Sequence, residues 1–318
     1  MTTGAFEPVR ACWICDGTTL RPVHELIFEL SAYGVQDPEL ASYTGSRLAL
    51  CRCARCGFAQ PAALPALPRY FDRMYDQRWS DDWIRSEFEA DYKDEIFAEI
   101  LGSLARRLGP ARRRLLDVGA HAGRFVSLAR AAGWTAEGLE LNPKTAAYAA
   151  QRTGATIRQL NVHDARVGDG VYDAITLTDV LEHIPDPVRV LTRVASLLAP
   201  DGWVSVKVPC GPSQLLKETW RGRLLSRYRP TVADNLVHVS HFSPASLRRA
   251  LERAGFVDVA VGPGAPELPA TPGLRGTLSR ASRRAIHYAA RVLPGGLHTP
   301  LTLNLQAYGR RPAAERER

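Results

Sequence analysis

Five of the six cysteines fall within the first 56 residues, as Cys12-Trp13-Ile14-Cys15 and then Cys51-Arg52-Cys53-Ala54-Arg55-Cys56. Two C-x-x-C pairs let four thiolates converge tetrahedrally on Zn²⁺, each short loop supplying two ligands. Cys12, Cys15, Cys53 and Cys56 are the expected ligands. Cys51 can replace one of them, because it stands two positions before Cys53 on the same side of an extended strand. A pair of disulfides is the rival reading, and a reducing compartment disfavours it. Four sulfur ligands leave no open position for water, so the expected zinc is structural. Cys210 stands alone after an apolar strand and reads as a packing cysteine.

The second segment with chemistry in it is Leu-Leu-Asp117-Val-Gly119-Ala-His121-Ala-Gly123-Arg-Phe, an apolar strand that turns into a helix. Gly119 permits a tight turn with close backbone approach, and Gly123 lets the new helix lie near the strand. The helix amino terminus offers unpaired amides to an anionic group. Asp117 stands where it can attract a cationic ligand directly or through water. A dinucleotide dehydrogenase would carry G-x-G-x-x-G, but His121 and Arg124 stand where the second and third glycines belong, so hydride transfer is disfavoured. The next strand ends in Glu140, placed like the carboxylate that holds a ribose diol about 20 residues further on. The third strand is followed by Asp164 and the fourth by Asp179. Carboxylates thus close four successive strands.

This set resembles the class I S-adenosylmethionine-dependent methyltransferases over roughly residues 114 to 261. D-V-G-A-H-A-G stands for the first family motif, and TDVLEHIPDP for the motif after strand four. The resemblance implies a Rossmann-like, doubly wound, mainly parallel seven-stranded sheet. It makes Glu140, with Leu141 beside it, the ribose-side contact and Asp164 the adenine-side acid. Gly119 and Gly123 would line the methionine portion, flanked by Asp117 and Asp179. His121 occupies a place where many members carry glycine. Adenine and amide N-methyltransferases carry N/D-P-P-Y/F after strand four, whereas this chain reads Thr178-Asp179-Val180-Leu181, which points to an oxygen or carbon acceptor. Such an acceptor must lose a proton. The candidate bases are Glu182, His183, His238 and His241, with His241 the first choice and Asp179 and Glu182 read as positioning donor and acceptor. A four-cysteine module ahead of this core is similar to the zinc-ribbon methyltransferases of bacterial secondary metabolism, some of which act on nucleotide-linked sugars.

The elements that must position these groups follow from periodicity. Strands are expected at 114–118, 135–141, 155–160, 172–178, 203–208 and 257–261, with helices at 123–132, 144–152, 187–198 and 244–254 between them. Such alternation means an α/β fold with helices on both sheet faces and the ligand crevice at the strands' carboxyl ends. A last extended run, 299–308, can pair with the final strand. Ahead of the core, Ile84, Phe88, Tyr92, Ile96, Ile100, Leu104 and Leu108 recur every four positions and predict one long amphipathic helix. The division expected is a zinc-ribbon module over 1–68, an aromatic and helical connector over 69–110, a methyltransferase domain over 111–310 with basic insertions at 212–235 and 265–298, and a flexible tail over 311–318. In the connector, Tyr70, Phe71, Tyr75, Trp79 and Trp83 read either as a lid over the cofactor or as interdomain packing.

The charge of +8, from 41 Lys and Arg against 33 Asp and Glu among 318 residues, favours anionic partners. Arg221, Arg223, Arg227 and Arg229, and a basic helix over 277–293 with Arg280, Arg283, Arg284 and Arg291, can receive a phosphate-bearing or lipid-linked small-molecule acceptor or contact an anionic membrane; solvated charge is the plainer alternative. The start MTTGAFEPVR lacks an export signal and no run approaches the roughly 18 apolar residues of a spanning helix, so a cytoplasmic location is expected. Two rival functions remain at this level. One is an rRNA methyltransferase with an amino-terminal zinc finger, weakened because the arginines follow the core rather than sit in the finger. The other is a non-catalytic zinc-containing binding protein.

Overall fold

The first strands serve the cysteines. β1 (Phe6–Pro8) pairs with β5 (Ala63–Pro65), while β2 (Leu20–Ile27), β3 (Arg47–Cys53) and β4 (Ala59–Pro61) form a three-stranded antiparallel sheet. The computed structural model describes residues 4–76, 80–163, 170–224, 238–268, 271 and 273–313, without the side chains of 75–76 and 221–223. Trp79, Asp164, Arg227, Arg229, the end of the tail and the side chains of Tyr75, Arg221 and Arg223 therefore lie outside the described residues. A core of Leu26, Phe28, Leu30, Leu40, Tyr43 and Leu50 closes the module and takes in Tyr70 and Met74 from α2 (Tyr70–Asp76), which follows the short α1 (Pro38–Ala41).

The expected long helix is two helices, α3 (Asp81–Glu89) and α4 (Asp94–Leu108). Ala90 leaves helical geometry with ψ of 132°. The carbonyl of Tyr92 instead accepts from the backbone N–H of Leu268 at 2.8 Å. Four-residue spacing holds on each side of the break, so periodicity alone does not reveal it.

The main sheet runs β11-β12-β10-β9-β6-β7-β8, from β6 (Arg114–Val118), β7 (Thr135–Leu139), β8 (Ile157–Arg158), β9 (Tyr172–Thr178), β10 (Leu198–Pro209), β11 (Val257–Pro263) and β12 (Asn304–Arg310). All neighbours pair in parallel except β12, which inserts antiparallel between β10 and β11. The expected partner of the last strand is thus found, together with a second one. The strand expected over 155–160 shrinks to two residues.

Successive residues of these strands face opposite layers. Leu115 and Ala174 pack with α4 and α5 (Arg124–Ala131), through Ile96, Ile100, Leu104, Phe125 and Val126. Leu116, Ile175 and Leu177 pack with α7 (Pro187–Leu197) and α9 (Pro244–Arg253), through Val190, Leu191, Leu247 and Leu251. Each such buried aliphatic side chain stabilises the layers by roughly 1.5–3 kcal/mol. Burial on both faces is what makes the strands near-continuous apolar runs. The remaining helices are α6 (Pro143–Thr153), α8 (Gly211–Leu224) and α10 (Gly273–Val292), the last starting four residues before its expected position.

Candidate active site

At the carboxyl end of β6 the chain turns through Gly119, whose φ of +77° lies in the left-handed region. A Cβ there would come within 2.5 Å of Val180 Cγ2, so the turn both needs glycine and hugs the loop after β9. Gly123, at φ +87°, starts α5; a Cβ there would press on Ala149 and Thr153 of α6. Its smallness thus seats the neighbouring helix rather than the preceding strand. Between the glycines, His121 also adopts positive φ, at +50°, a conformation histidine tolerates better than most residues. Its backbone N–H donates to Glu140 Oε2 at 2.9 Å and its ring meets Trp83 edge-on at 4.9 Å. Burial, aided by Lys93, pulls the His121 imidazole down to about 4, so it is neutral.

Asp117 is buried at the tip of β6 and accepts from the Thr176 hydroxyl at 2.6 Å. Burial pushes its carboxyl up to about 7, against the Thr176 hydrogen bond and with help from Glu140. Glu140 accepts from the backbone of Asn142 at 2.9 Å as well as from His121, and burial raises its carboxyl too. Asp179, at φ +56°, receives Lys93 Nζ at 2.8 Å and Lys207 Nζ at 2.5 Å. Burial would raise the Asp179 carboxyl, but the two ammonium groups outweigh it and hold the group below the usual carboxylate range. Lys207, 1% exposed, also meets Glu267 at 3.3 Å.

These tips open into a cavity of about 770 Å³. Asp117, Gly119, His121, Glu140, Leu141 and Asp179 all line it, so the structure brings the described residues of the expected cofactor set to one place, Gly123 excepted. The far wall comes from the amino-terminal segment and the connector: Leu64, Pro65, Leu67, Tyr70, Phe71, Trp83 and Lys93. Of the aromatic stretch, Tyr70, Phe71 and Trp83 therefore face the cavity.

Among the four candidate bases, only His183 lines the cavity. His241, the first choice, does not. It is 6% exposed and bridges to the cysteine module: its N–H donates to the Ala59 carbonyl at 2.9 Å and its carbonyl accepts from Ala59 at 3.0 Å. Its Nδ1–H donates to Gln214 Oε1 at 3.2 Å, and burial pulls it down to about 4. The segment that carries it connects the two modules. His238 Nδ1 accepts from Gln214 Nε2 at 3.0 Å while its ring meets that of His183 edge-on at 4.7 Å. Glu182, 2% exposed, lies beneath His183, and burial together with Asp179 raises its carboxyl well above the ordinary range.

Sequence reasoning missed Lys93, Lys207 and Thr176. A lysine inside the apolar run Trp203–Val208 was the available signal, because a charge in a central strand demands a partner. Lys93 sits at the break between α3 and α4 and was hidden by the continuous periodicity.

In the amino-terminal module, Cys12, Cys15, Cys53 and Cys56 place their sulfurs within 4.8 Å of one another, with Cys12–Cys56 and Cys15–Cys53 at 3.5 Å. Cys51 is buried outside this cluster, which resolves the alternative in favour of Cys53. Cys210 is buried in the main core.

The profile of the methyltransferase-domain family matches residues 90–261, more than half of the chain. The chain belongs to that family. Among curated relatives, the ubiquinone biosynthesis O-methyltransferase of Aromatoleum aromaticum is 30% identical over 152 residues, 46% of this chain and 61% of that protein. Its namesake from Chromobacterium violaceum is 31% identical over 140 residues, 42% and 58% of the two chains. The chain thus spans less than two thirds of these relatives' length. Two solved structures share the fold of this methyltransferase domain. Haemonchus contortus phosphoethanolamine N-methyltransferase 2, solved with S-adenosyl-L-methionine, superimposes with a TM-score of 0.52 at 16% identity, covering 80% of this chain and 63% of that one. A Haloferax volcanii methyltransferase from a complex with the Trm112 activator gives 0.51 at 17% identity, covering 73% and 97%.

Proposed function

We propose that this chain transfers the methyl group of S-adenosylmethionine to an oxygen of a small-molecule acceptor. The cavity carries the reading, because it joins the acidic strand tips to an apolar and aromatic wall at a size typical of small-molecule sites, roughly 300–1,000 Å³. Glu140 suits a ribose diol, and Asp117 and Asp179 bracket the Gly119 turn where the sulfonium end belongs. Asp164, on the adenine side, completes the proposed set. Bound S-adenosylmethionine supplies an electrophilic methyl, and the acceptor oxygen forms the new C–O bond as the C–S bond breaks. His183, on the cavity wall, activates the acceptor hydroxyl for attack, while Lys93 and Lys207 fix Asp179. Trp83, Tyr70 and Phe71 exclude water from the reacting centre. The O-methyltransferase names of the curated relatives favour oxygen over carbon.

The wall built from the amino-terminal segment suits a compact metabolite such as a modified sugar better than a polynucleotide. The four-cysteine cluster fits structural zinc by its donor set alone. A phosphate-bearing or lipid-linked acceptor is favoured by α10, which carries no acid and sets Arg275 and Arg280 beside an exposed stripe of Leu274, Leu278, Tyr288 and Val292, while Arg284 and Arg291 tie the helix to Glu95 and Glu99. Such a face matches an anionic membrane surface, and among the described residues no helix is long and apolar enough to cross one. Flotation with vesicles rich in anionic lipid tests that contact; equal recovery with neutral vesicles removes it. The activity itself is tested by release of S-adenosylhomocysteine with hydroxylated sugars, their nucleotide-linked forms and polyprenylated phenols. Turnover with one of these, slowed about 10²-fold or more by His183→Ala at unchanged cofactor affinity, is expected. A His183→Ala rate within a few-fold of the parent removes that residue's role.

A further inference from the structure

Among the described residues six carboxylates line the cavity, Glu7, Asp72, Glu87, Asp117, Glu140 and Asp179, against three cations, Arg69, Lys93 and Arg124. A hydroxyl that must lose its proton in such surroundings is opposed by the acids, because like charge disfavours the ionised form. The oxygen needs a cation to answer it. Arg124 is spent on structure: Nε and Nη2 reach the two carboxyl oxygens of Asp94 at 2.6 and 2.5 Å, and Nη1 donates to the Phe88 carbonyl at 2.7 Å. Arg69 pairs with Asp72 at 3.3 Å, and its side chain is 71% exposed. Lys93 remains, partly buried on the cavity wall.

The backbone sets its place. The break after α3 turns the Tyr92 carbonyl to the N–H of Leu268, and α4 begins at Asp94, so Lys93 stands at the junction of the two helices. The Tyr92 ring lies 5.5 Å from Nζ. The other charged groups around the ammonium are Asp179 from the loop after β9, Lys207 of β10 and Glu267 after β11. Burial would pull the Lys93 ammonium down, but Asp179, and after it Tyr92 and Glu267, hold it above the ordinary lysine range. It is a fixed positive charge, not a base. Asp179 does not depend on it for a counter-charge, since Lys207 lies 2.5 Å away. The contact with Asp179 Oδ2 at 2.8 Å occupies at most one of the three N–H donors of Lys93. Thr178, at the same strand end, also lines the cavity and has a buried hydroxyl with no hydrogen-bond partner among the described residues. Such a group is an independent mark of a place for a polar ligand atom.

We propose that the Lys93 ammonium binds the acceptor oxygen, beside the Thr178 hydroxyl, and stabilises the negative charge that develops there as the proton leaves. This assignment rests on the methyl-transfer reading above. His183, four residues after Asp179 in the same loop, takes the proton. The electron pair left on the oxygen forms the C–O bond while the electrons of the C–S bond pass to sulfur, and the product is S-adenosylhomocysteine. Lys93 keeps its own proton throughout. A charge already in position acts on the oxygen without reorganisation at the moment of reaction.

The test uses 4-nitrophenol, whose phenolate is yellow, with the full chain saturated by S-adenosylhomocysteine, so that neither methyl transfer nor a sulfonium charge intervenes. Spectrophotometric titration with wild type should show the bound phenol more acidic than the free phenol by about one pKa unit or more. Lys93→Arg should keep that shift and Lys93→Met should lose it, while calorimetry shows both variants binding S-adenosylmethionine as the parent does. A phenol no more acidic with wild type than free in solution, which needs no variant to fold, overturns the assignment, as does an equal shift in wild type and Lys93→Met. So does a Lys93→Met chain whose S-adenosylmethionine affinity falls tenfold or more with the phenol shift intact, because the ammonium then serves the cofactor. Failure of the earlier reading shows separately, as absence of S-adenosylmethionine binding to wild type.

Discussion

Replacing Lys207 with methionine keeps the apolar stem and removes one ammonium from a closed site. At 2.5 Å from Asp179 and an effective dielectric constant of about 20, the attraction lost is about 7 kcal/mol. Part of that returns, because the variant no longer buries a cation, a cost of several kcal/mol. Asp179 also keeps Lys93 at 2.8 Å. The net expectation is the lower end of what breaking a buried pair costs, about 3 kcal/mol, which lowers Tm by about 6–12 °C for a domain of this size. The pH dependence gives a second readout. A carboxyl held below its ordinary pKa contributes stability above that pKa and loses it as pH falls through the folded value. With Lys207 gone, Asp179 is held down less, so the acid-side loss of stability becomes shallower. Thermal melts of Lys207→Met and wild type between pH 3 and 8 measure both effects, and a cycle with Asp179→Asn isolates the pair. A shift under about 2 °C with an unchanged acid limb would refute the reasoning.

Gly119→Ala combines a left-handed φ with a clash onto Val180, and should destabilise by about 2–4 kcal/mol and weaken S-adenosylmethionine binding at least tenfold by calorimetry. Asp117 is raised from an ordinary 3.8 to about 7 by burial, so the folded state keeps a proton the unfolded chain has lost; stability from this group is full below pH 4 and falls by about 4 kcal/mol as pH rises through 7. Asp117→Asn should flatten that limb in ligand-free melts. Cys53→Ser should release about one zinc per chain to a chromogenic chelator and expose the Leu26–Phe28 core to limited proteolysis, whereas Cys51→Ser should leave zinc in place.

The strand-turn-helix around Gly119 and each C-x-x-C pair were legible because each is a local pattern whose chemistry needs only neighbours in sequence. The meeting of the two cysteine pairs, 38 residues apart, and of Asp117, Glu140 and Asp179 followed from the expected ligand count and fold, while Asp164 lies outside the described residues. The sheet order was legible only as a class, since alternation of strands and helices implies parallel pairing but does not say that β12 inserts between β10 and β11. The lysines escaped for a different reason. Lys207 and Asp179 meet across β10 and β9, and Lys93 reaches them only because the helix breaks after Glu89, where a tertiary hydrogen bond from Leu268 replaces a helical one. His241 misled because a histidine's chemistry does not say where its ring lies: its Nδ1 and that of His238 both engage Gln214, its backbone pairs with Ala59 of the cysteine module, and its ring stays outside the cavity.

Isothermal calorimetry with S-adenosylmethionine on wild type and Glu140→Ala tests the central claim most directly. One cofactor bound per chain, weakened tenfold or more by loss of the Glu140 carboxylate in a variant that melts like the parent, is the predicted result. Absence of binding to wild type, or equal affinity in the two proteins, would contradict it.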